Sequence, residues 1–245
     1  MNILIPMAGA GQRFKDAGYT TLKPFIPTTY WKTLEKLPMV VCATKDLLTL
    51  TENLNERLIF VTRENLHLEL EKYFNTKVAS YLPTETLTEG QASSCLLAKH
   101  LINNDEELLI GGCDNGQVLN VDSFKAHKKF ADVLVFTYRN HQHVLENSSS
   151  GKLFSRVLSV SVKKPISQNP LQDHAIVATF WFKRGSDFVK CAEDMISNND
   201  RIYNEFYVDN VVNYALKRGL KVYVYEVDRY LGWGTPSEYE NYEKT

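Results

Sequence analysis

The chain has 245 residues, of which 44% are hydrophobic and 23% are charged, a composition typical of a soluble globular protein. Its length predicts one large α/β domain, or one domain with a small appended lobe. The formal net charge of −1 gives no reason to expect a nucleic acid or an anionic membrane as a partner.

The distribution of apolar residues and cysteines predicts a cytoplasmic protein. No segment is long and apolar enough to cross a bilayer, and residues 1–10 lack the basic leader and apolar core of a secretory signal. The cysteines have no metal-ligand or redox spacing, which indicates reduced and mostly buried thiols. They are Cys42, Cys95, Cys113 and Cys191. The composition is compatible with a monomer and with a homo-oligomer.

Apolar runs alternate with segments of helical periodicity, which predicts a mostly parallel sheet with helices packed against it. In chain order, the predicted elements are a strand at 2–7, a helix at 39–50, a strand at 57–62, a helix at 64–74, a strand at 76–81, a helix at 91–102, a strand at 107–111, a helix at 121–130, strands at 133–138, 156–162 and 175–182, helices at 186–197 and 204–218, and a strand at 221–227. Gly219 follows the last helix, where a C-cap favours a positive φ angle. The segments 27–38, 140–152 and 167–174 are expected to be loops, where substrate selection usually resides.

The first predicted strand runs into a turn of small residues. This turn consists of Ala8, Gly9, Ala10 and Gly11. A turn without bulky side chains lets the backbone approach a large anion and bind it through amide groups. Arg13 follows the turn, and Lys23 is near enough in the sequence to fold back over the same anion. Two cations beside exposed amide groups suit a polyphosphate.

The order of apolar strand, G-x-G-x-R-F motif and K-P pair resembles the nucleotidyltransferases that activate sugar phosphates. The resemblance extends, with gaps, from Met1 to the segment 234–236. It implies an α/β fold of the Rossmann-like glycosyltransferase-A type, with a mixed, mostly parallel sheet flanked by helices. It also implies one domain over residues 1–245, in which residues 1–152 bind the nucleotide and residues 153–245 bind the acceptor.

The resemblance also implies a reaction and the residues that perform it. Members of the family join a nucleoside triphosphate to a phosphorylated small molecule and release pyrophosphate. Arg13 is then expected to hold the leaving pyrophosphate and Lys23 to steady the α-phosphate, as the catalytic pair. Residues 8–11 are expected to bind the nucleotide.

An acidic residue follows the predicted strand at 107–111. Open α/β sheets bind ligands at the carboxyl ends of parallel strands, so Asp114 is expected to face the crevice. The family places a Mg²⁺-binding aspartate there, and Mg²⁺ is often held by one or two carboxylates together with substrate phosphates. The resemblance therefore implies Mg²⁺ as the cofactor and Asp114 as its ligand. The alternative is that Asp114 caps a turn, because Asp-Asn-Gly is also a common turn sequence.

The segment 88–93 follows a predicted strand and begins a helix. It resembles the family element whose backbone recognises the base, which implies that Gly90 and Gln91 bind the nucleotide. The same residues suit an ordinary helix N-terminus, with Thr88 as the cap and Gln91 at the capping-box position. The two interpretations are compatible with each other.

The segment 162–166 resembles the element in which a glutamate binds a sugar hydroxyl and a lysine binds the acceptor phosphate. Lys163 matches that lysine, which implies the same role. Val162 stands at the glutamate position and cannot accept a hydrogen bond. Residues 175–179 also lack the glycine that sugar-using relatives often place there. These differences favour an acceptor other than an ordinary hexose phosphate, although a solvated basic pair at a strand end also explains Lys163 and Lys164.

The segment 232–236 resembles the family's D-x-G-T-P element, but a glycine replaces the aspartate that is usually the second metal ligand. Either another acid supplies this ligand, or the metal relies on Asp114, phosphates and water. Asp228 and Asp209 are the nearest candidates in the sequence, and we take Asp228 as the second candidate ligand. Glu205 and Asp209 lie one helical turn apart and are candidates for the acceptor pocket, or for a solvent-facing acidic edge.

The choice of nucleotide and acceptor also follows from the resemblance. Short relatives usually take pyrimidine triphosphates, and those with acceptors other than sugars often use CTP. The likeness to capsule-pathway members favours a cytidylyltransferase of surface-polysaccharide biosynthesis, with a phosphorylated amino acid, amide, polyol or choline-like compound as acceptor. A sugar-1-phosphate thymidylyl- or uridylyltransferase is the alternative.

The same motifs also bear on three other functional classes. A strand followed by G-x-G also occurs in dinucleotide-dependent oxidoreductases, but Phe14 stands where their third glycine belongs, and the second strand ends at Thr62 and Arg63 rather than at an acid. A transferase that uses a nucleotide-sugar donor is disfavoured by the combined G-x-G-x-R-F and K-P motifs. A nucleotide-binding regulator without catalysis stays open, because the aspartate is missing at Gly232.

Overall fold

The computed structural model describes residues 1–51, 57–63, 66–74, 79–139, 155–169 and 171–244. Its strands are β1 (Asn2–Pro6), β2 (Pro27–Thr29), β3 (Lys36–Pro38), β4 (Arg57–Arg63), β5 (Ala79–Thr84), β6 (Leu108–Ile110), β7 (Asn115–Val118), β8 (Val133–Tyr138), β9 (Ala175–Phe182), β10 (Val222–Glu226) and β11 (Arg229–Gly232). Its helices are α1 (Gln12–Asp16), α2 (Met39–Leu48), α3 (His67–Leu70), α4 (Gln91–Leu96), α5 (Lys99–Ile102), α6 (Val121–Lys128), α7 (Gly185–Ser197), α8 (Val208–Lys217) and α9 (Pro236–Glu243), together with a 3₁₀ turn at Lys23–Phe25. None of these described helices combines the length and apolarity that a bilayer span requires.

Seven strands form the central sheet, in the order β10-β8-β9-β6-β1-β4-β5. β1 lies between β4 and β6 and pairs in parallel with both, and the pairs β4–β5 and β8–β10 are also parallel. β9 is antiparallel to both of its neighbours, β6 and β8. The expected α/β fold with a mixed, mostly parallel sheet flanked by helices is confirmed.

Strands β1, β4, β6 and β8 are almost fully buried, which explains why they are apolar runs, whereas the edge strand β5 is only partly buried. Successive residues of β1 point to opposite faces. Leu4 belongs to the apolar cluster that contains residues of α4, α5, α7 and α8. Ile3 and Ile5 belong to the cluster that contains residues of α2 and α6.

A third apolar cluster joins segments that are distant in the sequence. Its fully buried members include Phe14 of α1, Met39 of α2 and Trp233, which follows β11. Two antiparallel ribbons, β2–β3 and β7–β11, contribute to this region. α9 then begins with a capping box, in which Thr235 and Glu238 exchange hydrogen bonds. The C-terminal part of the chain is thereby held against the N-terminal turn.

The prediction of a strand at 156–162 is wrong, because the structure has no strand between β8 and β9 in its described residues. Arg156 makes one isolated bridge with Tyr223. Beyond it, the side-chain amide of Asn213 bonds both the N–H and the carbonyl oxygen of Val160. A single side chain therefore satisfies backbone groups that a neighbouring strand would otherwise pair.

Several predicted boundaries also differ from the structure. The helix predicted at 91–102 is divided into α4 and α5, and the helix predicted at 204–218 begins only at Val208. The loop predicted at 27–38 contains the β2–β3 ribbon. β7, β11 and α9 have no counterpart among the sequence predictions, because short ribbons and a polar capped helix lack a long apolar period. The predictions that fall wholly or partly outside the described residues are the loops at 140–152 and 167–174, the helix at 64–74, the strand at 76–81 and the boundary between the two halves at 152/153.

Candidate functional site

The glycine turn, residues 8–11, follows β1 directly and lies at the carboxyl edge of the central sheet. Gly11 has a φ angle of 64°, in the left-handed region that favours glycine, and a Cβ atom there would lie 3.2 Å from Cβ of Lys23. At Gly9, by contrast, an added Cβ would have no atom within 4 Å. The turn is therefore packed tightly against Lys23 at one end and open at the other.

The side chain of Lys23 connects the K-P pair with the acid after β6 and with the G-T-P segment. Lys23 begins the 3₁₀ turn of the K-P pair, and its Nζ donates hydrogen bonds to Oδ2 of Asp114 at 2.6 Å and to the carbonyl oxygen of Gly234 at 2.9 Å. The same ammonium lies 5.3 Å from the ring centroid of Phe14. The side chain of Lys23 is 17% exposed and that of Asp114 is 32% exposed, so a ligand can reach the ion pair.

Asp114 lies between β6 and β7 and is held by the C-terminal segment. Its carbonyl oxygen accepts a hydrogen bond from the N–H of Trp233 at 3.2 Å. The next residue, Asn115, begins β7 and pairs with β11. The Asp-Asn-Gly segment therefore enters a ribbon instead of forming a capped turn, and the carboxylate contacts Lys23.

The Asp114 carboxylate beside the glycine turn fits Mg²⁺, which often combines one or two protein carboxylates with substrate phosphates and water. Within the described ranges, no group of three or more His, Cys, Asp or Glu residues is arranged to hold a metal ion. Asp114 is thus the residue that would hold Mg²⁺, with oxygens of the substrate as further ligands.

The structure does not bring Asp228 to Asp114. The β7–β11 ribbon pairs Gly232 with Asn115, whereas the N–H of Asp228 bonds to Val118 at the far end of the ribbon. At a strand rise of about 3.3 Å per residue, the four-residue offset along the chain amounts to about 13 Å. The ribbon was absent from the sequence predictions, so this separation could not be foreseen.

The glycine at the position of the family's second aspartate packs against an aromatic ring. A Cβ atom at Gly232 would lie 2.9 Å from Cε1 of Tyr230, and that ring stacks on Tyr138 with centroids 4.4 Å apart. Burial raises the pKa of Tyr230, and the nearby carboxylates of Asp114 and Glu238 raise it further. A neutral tyrosine therefore occupies the space beside Gly232.

A cavity of about 150 Å³ lies beside the glycine turn. It is lined by the turn, by the cations Lys15, Lys23 and Arg63, and by Leu22 and Leu66. Arg63 is absent from the predicted site residues, although its place at the carboxyl end of a parallel strand is a signal that could have identified it. A larger depression, of about 430 Å³, contains none of the predicted site residues. It is lined by Leu97, Lys99, His100 and Asn103.

Arg13 is exposed on α1, and its positive charge acts on the hydroxyl group of Tyr207. Burial and a hydrogen bond with Glu205 raise the pKa of Tyr207 to about 12, and the charge of Arg13 opposes this rise. The Nζ of Lys163 lies 5.1 Å from the ring centroid of Tyr207. The two residues predicted to bind the acceptor thus both contact Tyr207, a residue that no sequence motif identifies.

Lys163 has a left-handed φ angle of 58° and lies near the carboxyl group of Asp209. Burial raises the pKa of Asp209, and the charge of Lys163 opposes that rise. Asp209 lies in α8, whereas Glu205 precedes this helix in a turn closed by hydrogen bonds with Ile202. The prediction that Glu205 and Asp209 share one helical face is therefore wrong, although both lie around Tyr207.

Gly90 is the N-cap of α4 and has a φ angle of 120°, which L side chains rarely adopt. A Cβ atom there would lie 2.6 Å from the backbone N and O of Phe206. Close packing of this backbone on α4 requires glycine, independently of any nucleotide. Gln91 is the first residue of α4, but the predicted cap by Thr88 is wrong, because no side chain caps this helix.

Ala178, within the segment 175–179, has a φ angle of 55° at an irregularity of the β8–β9 register. A left-handed conformation costs a residue other than glycine about 1–2 kcal/mol. The next residue, Thr179, accepts a hydrogen bond of 2.9 Å from the side chain of Gln117 in the core. The methyl group of Ala178 therefore lies in a backbone conformation that favours glycine.

The fold is similar to those of solved nucleotidyltransferases and pyrophosphorylases. The nucleoside-diphosphate-sugar pyrophosphorylase of Vibrio cholerae RC9 matches with a TM-score of 0.76 and 18% identity, over 99% of this chain and 100% of that one. A putative glucose-1-phosphate thymidylyltransferase of Bacillus anthracis matches with a TM-score of 0.70 and 14% identity, over 100% and 94%. A UDP-glucose pyrophosphorylase complexed with UDP-glucose matches with a TM-score of 0.69 and 15% identity, over 99% and 97%.

These similarities concern the fold alone, because the sequence identities are only 18%, 14% and 15%. No protein-family model and no curated protein matches the sequence. The expected resemblance to sugar-phosphate nucleotidyltransferases is confirmed at the level of the fold, and it covers almost the whole chain.

Proposed function

We propose that this chain is a Mg²⁺-dependent nucleotidyltransferase, which transfers a nucleoside monophosphate from a nucleoside triphosphate to a phosphorylated small molecule and releases pyrophosphate. The observation that carries the proposal is the convergence of Lys23, Asp114 and the carbonyl of Gly234 beside the glycine turn. A cation, a carboxylate and accessible amide groups at one sheet edge suit the phosphates of a nucleotide and its metal ion. The names of the three structural neighbours support the same class of reaction.

The transfer exchanges one phosphoryl bond for another. A phosphate oxygen of the acceptor attacks the α-phosphorus and forms a new O–P bond. The bond from that phosphorus to the bridging oxygen breaks, and its electron pair leaves with pyrophosphate. Because this in-line exchange needs no covalent enzyme intermediate, the protein contributes positioning and charge neutralisation.

Each part of the site takes one of these tasks. The backbone of residues 8–11 binds the phosphates, Lys23 steadies the α-phosphate, and Arg13 neutralises charge on the departing group. Lys163 binds the phosphate of the acceptor. Asp114 would hold Mg²⁺, which when bound supplies further neutralisation of phosphate charge. The base binds beside the start of α4, where Gly90 and Gln91 lie.

We assign the chain more finely to the cytidylyltransferases of capsule or other surface-polysaccharide biosynthesis. Val162, at the position of the glutamate that binds a sugar hydroxyl, is buried and has no acceptor for such a hydroxyl. The carboxyl groups of Glu205 and Asp209 lie near Tyr207, and the ammonium group of Lys163 lies over the ring of the same tyrosine. Acids around a phosphate-binding cation suit an acceptor with a donor or cationic group, such as a phosphorylated amino acid, amide or choline-like compound.

A sugar-1-phosphate thymidylyl- or uridylyltransferase is the second candidate. It is favoured by the likeness to a structure named as a glucose-1-phosphate thymidylyltransferase and to one that contains UDP-glucose. A nucleotide-binding regulator is the third, motivated by the glycine at position 232.

The test is pyrophosphate release by the purified chain with Mg²⁺, using CTP, UTP, dTTP, ATP and GTP in turn. Each nucleotide is combined with phosphocholine, a phosphorylated amino acid, a polyol phosphate and glucose 1-phosphate. Release with CTP and a non-sugar acceptor supports the finer assignment, whereas release only with UTP or dTTP and glucose 1-phosphate assigns the second candidate. A rise in melting temperature with nucleotide, but no release with any acceptor, favours the regulator. If the chain neither binds a nucleotide nor releases pyrophosphate, the result contradicts all three candidate functions.

A further inference from the structure

Three cations line the cavity beside the glycine turn, and two of them have no partner among the residues that the structure describes. Lys23 is paired with Asp114. The side chains of Lys15 and Arg63 make no hydrogen bond or ion pair with another residue in the described part of the chain. Arg63 is also partly buried. An unpaired guanidinium in such a place is available to an anion, because its planar fork binds two oxygens at once.

The strand register places Arg63 beside the turn. Pro6 of β1 pairs with Val61 of β4, and the N–H of Met7 bonds to the carbonyl oxygen of Val61 at 2.9 Å. Arg63 lies two residues beyond Val61, so it is level with the first residue of the glycine turn. Arg57, at the amino end of the same strand, lies about 20 Å away at a strand rise of about 3.3 Å per residue.

The short helix α1 carries two cations, of which only Lys15 lines the cavity. Arg13 and Lys15 are two residues apart, and side chains with that spacing do not face the same way on a helix. Lys15 lines the cavity, whereas Arg13 is absent from its lining. The end of a polyphosphate that enters the cavity therefore meets Lys15 and Arg63.

We infer that Arg63 and Lys15 bind the terminal phosphates of the nucleoside triphosphate, and hence the pyrophosphate that leaves. The inference rests on the proposed function and extends it to two residues outside the recognised motifs. With the α-phosphate at Lys23, the β- and γ-phosphates extend into the cavity of about 150 Å³. The positive charges of Lys15, Lys23 and Arg63 suit an anion, whereas Met7, Leu22, Pro24 and Leu66 make the rest of the lining apolar.

The experiment measures the binding of inorganic pyrophosphate and of nucleoside monophosphate by titration calorimetry. The variants are Arg63→Gln, Arg63→Lys and Lys15→Gln. Arg57→Gln is the matched control, because it removes an exposed arginine from the other end of the same strand. The melting temperature of each variant establishes that it is folded.

We expect Arg63→Gln to bind pyrophosphate about tenfold more weakly or worse, because it loses a charge-assisted hydrogen bond. Its affinity for the monophosphate, which lacks the terminal phosphates, should stay unchanged. Arg63→Lys and Lys15→Gln should show smaller losses, and Arg57→Gln should show none. In the reverse reaction, the KM for pyrophosphate should rise in the same order.

Two results overturn the inference while the proposed function stands. In the first, the wild type binds and releases pyrophosphate, and Arg63→Gln does so with the same affinity. In the second, Arg63→Gln weakens the binding of the monophosphate as much as the binding of pyrophosphate. Arg63 would then contact another part of the nucleotide. If the wild type neither binds nor releases pyrophosphate, the proposed function fails and the inference fails with it.

Discussion

Lys23 and Asp114 are 91 positions apart in the chain, yet their side chains form an ion pair of 2.6 Å. The Lys23 ammonium also bonds to the carbonyl oxygen of Gly234, so it connects the N-terminal turn to the C-terminal segment. A partly exposed pair of this kind contributes little to stability, at most about 1 kcal/mol. Its role is therefore expected in ligand binding and turnover more than in folding.

Replacing Lys23 by alanine is expected to leave the fold intact and to lower turnover about a hundredfold or more, because one positioned charge contributes about 3 kcal/mol to transition-state stabilisation. Steady-state pyrophosphate release measures the effect. Lys72→Ala is the control, since it removes an exposed lysine paired with Glu69 on the surface, and it should keep full turnover. Near-normal turnover of Lys23→Ala would refute the role.

Replacing Asp114 by asparagine is expected to weaken divalent-ion binding about tenfold or more, because an amide oxygen lacks the charge of a carboxylate. Titration with Mn²⁺, followed by electron paramagnetic resonance in the presence of nucleotide, measures this affinity without turnover. Asp228→Asn is the matched control, because Asp228 lies at the far end of the β7–β11 ribbon. Equal losses in both variants, or a loss only in Asp228→Asn, would contradict the site.

Replacing Gly90 by alanine is expected to destabilise the protein by about 2–4 kcal/mol, since the new Cβ would clash with the backbone of Phe206 in a disfavoured φ region. Gly219→Ala is the control. Gly219 has a φ angle of 78° but no atom within 4 Å of an added Cβ, so only the conformational cost of about 1–2 kcal/mol applies. Urea unfolding compares the two. Equal losses would mean that packing is not what requires glycine at position 90.

Glu243 connects α9 to the β2–β3 ribbon by accepting hydrogen bonds from the N–H and hydroxyl of Thr29 and from Lys36. Burial disfavours its charged form, but these bonds outweigh burial, and the pKa of Glu243 is lowered from its ordinary value. A carboxyl group with a lowered folded-state pKa stabilises the protein above its unfolded-state pKa, and this contribution is lost as the pH falls through that value towards the folded-state pKa.

Melting temperatures between about pH 6 and about pH 3 test this linkage, because the range spans the ordinary glutamate pKa. The wild type should lose more stability on acidification than Glu243→Gln, which has no charge to lose at this position. Parallel curves for the two proteins would show that Glu243 does not carry the effect.

Predictions that depend on local sequence agree well with the structure. In the turn at residues 8–11, the left-handed φ of Gly11 and its close contact with Lys23 account for the glycine at that position. Strands β1, β4, β6 and β8 were recognisable because they are almost fully buried, which makes each of them an apolar run. The lysine of the K-P pair and the acid after β6 were expected at one site, and the structure places them in contact.

Residues whose place depends on non-local pairing could not be predicted. Arg63 reaches the cavity through the register of β4 on β1, and Tyr207 through the turn that precedes α8. Asp228 was expected near Asp114 because it is close to the C-terminal motif in the sequence. The β7–β11 ribbon separates them, and no apolar period marks such a ribbon.

The sequence by itself determined the class of fold, the glycine turn and the residue types that surround it. These depend on the alternation of apolar segments and on the conformational freedom of glycine, which are properties of short stretches of chain. The tertiary structure decided which charges meet. It paired Lys23 with Asp114 and Gly234, placed Arg63 in the cavity and left Asp228 at the far end of its ribbon. The physical reason is that contacts between distant segments are set by strand order and register, and a one-dimensional pattern specifies neither.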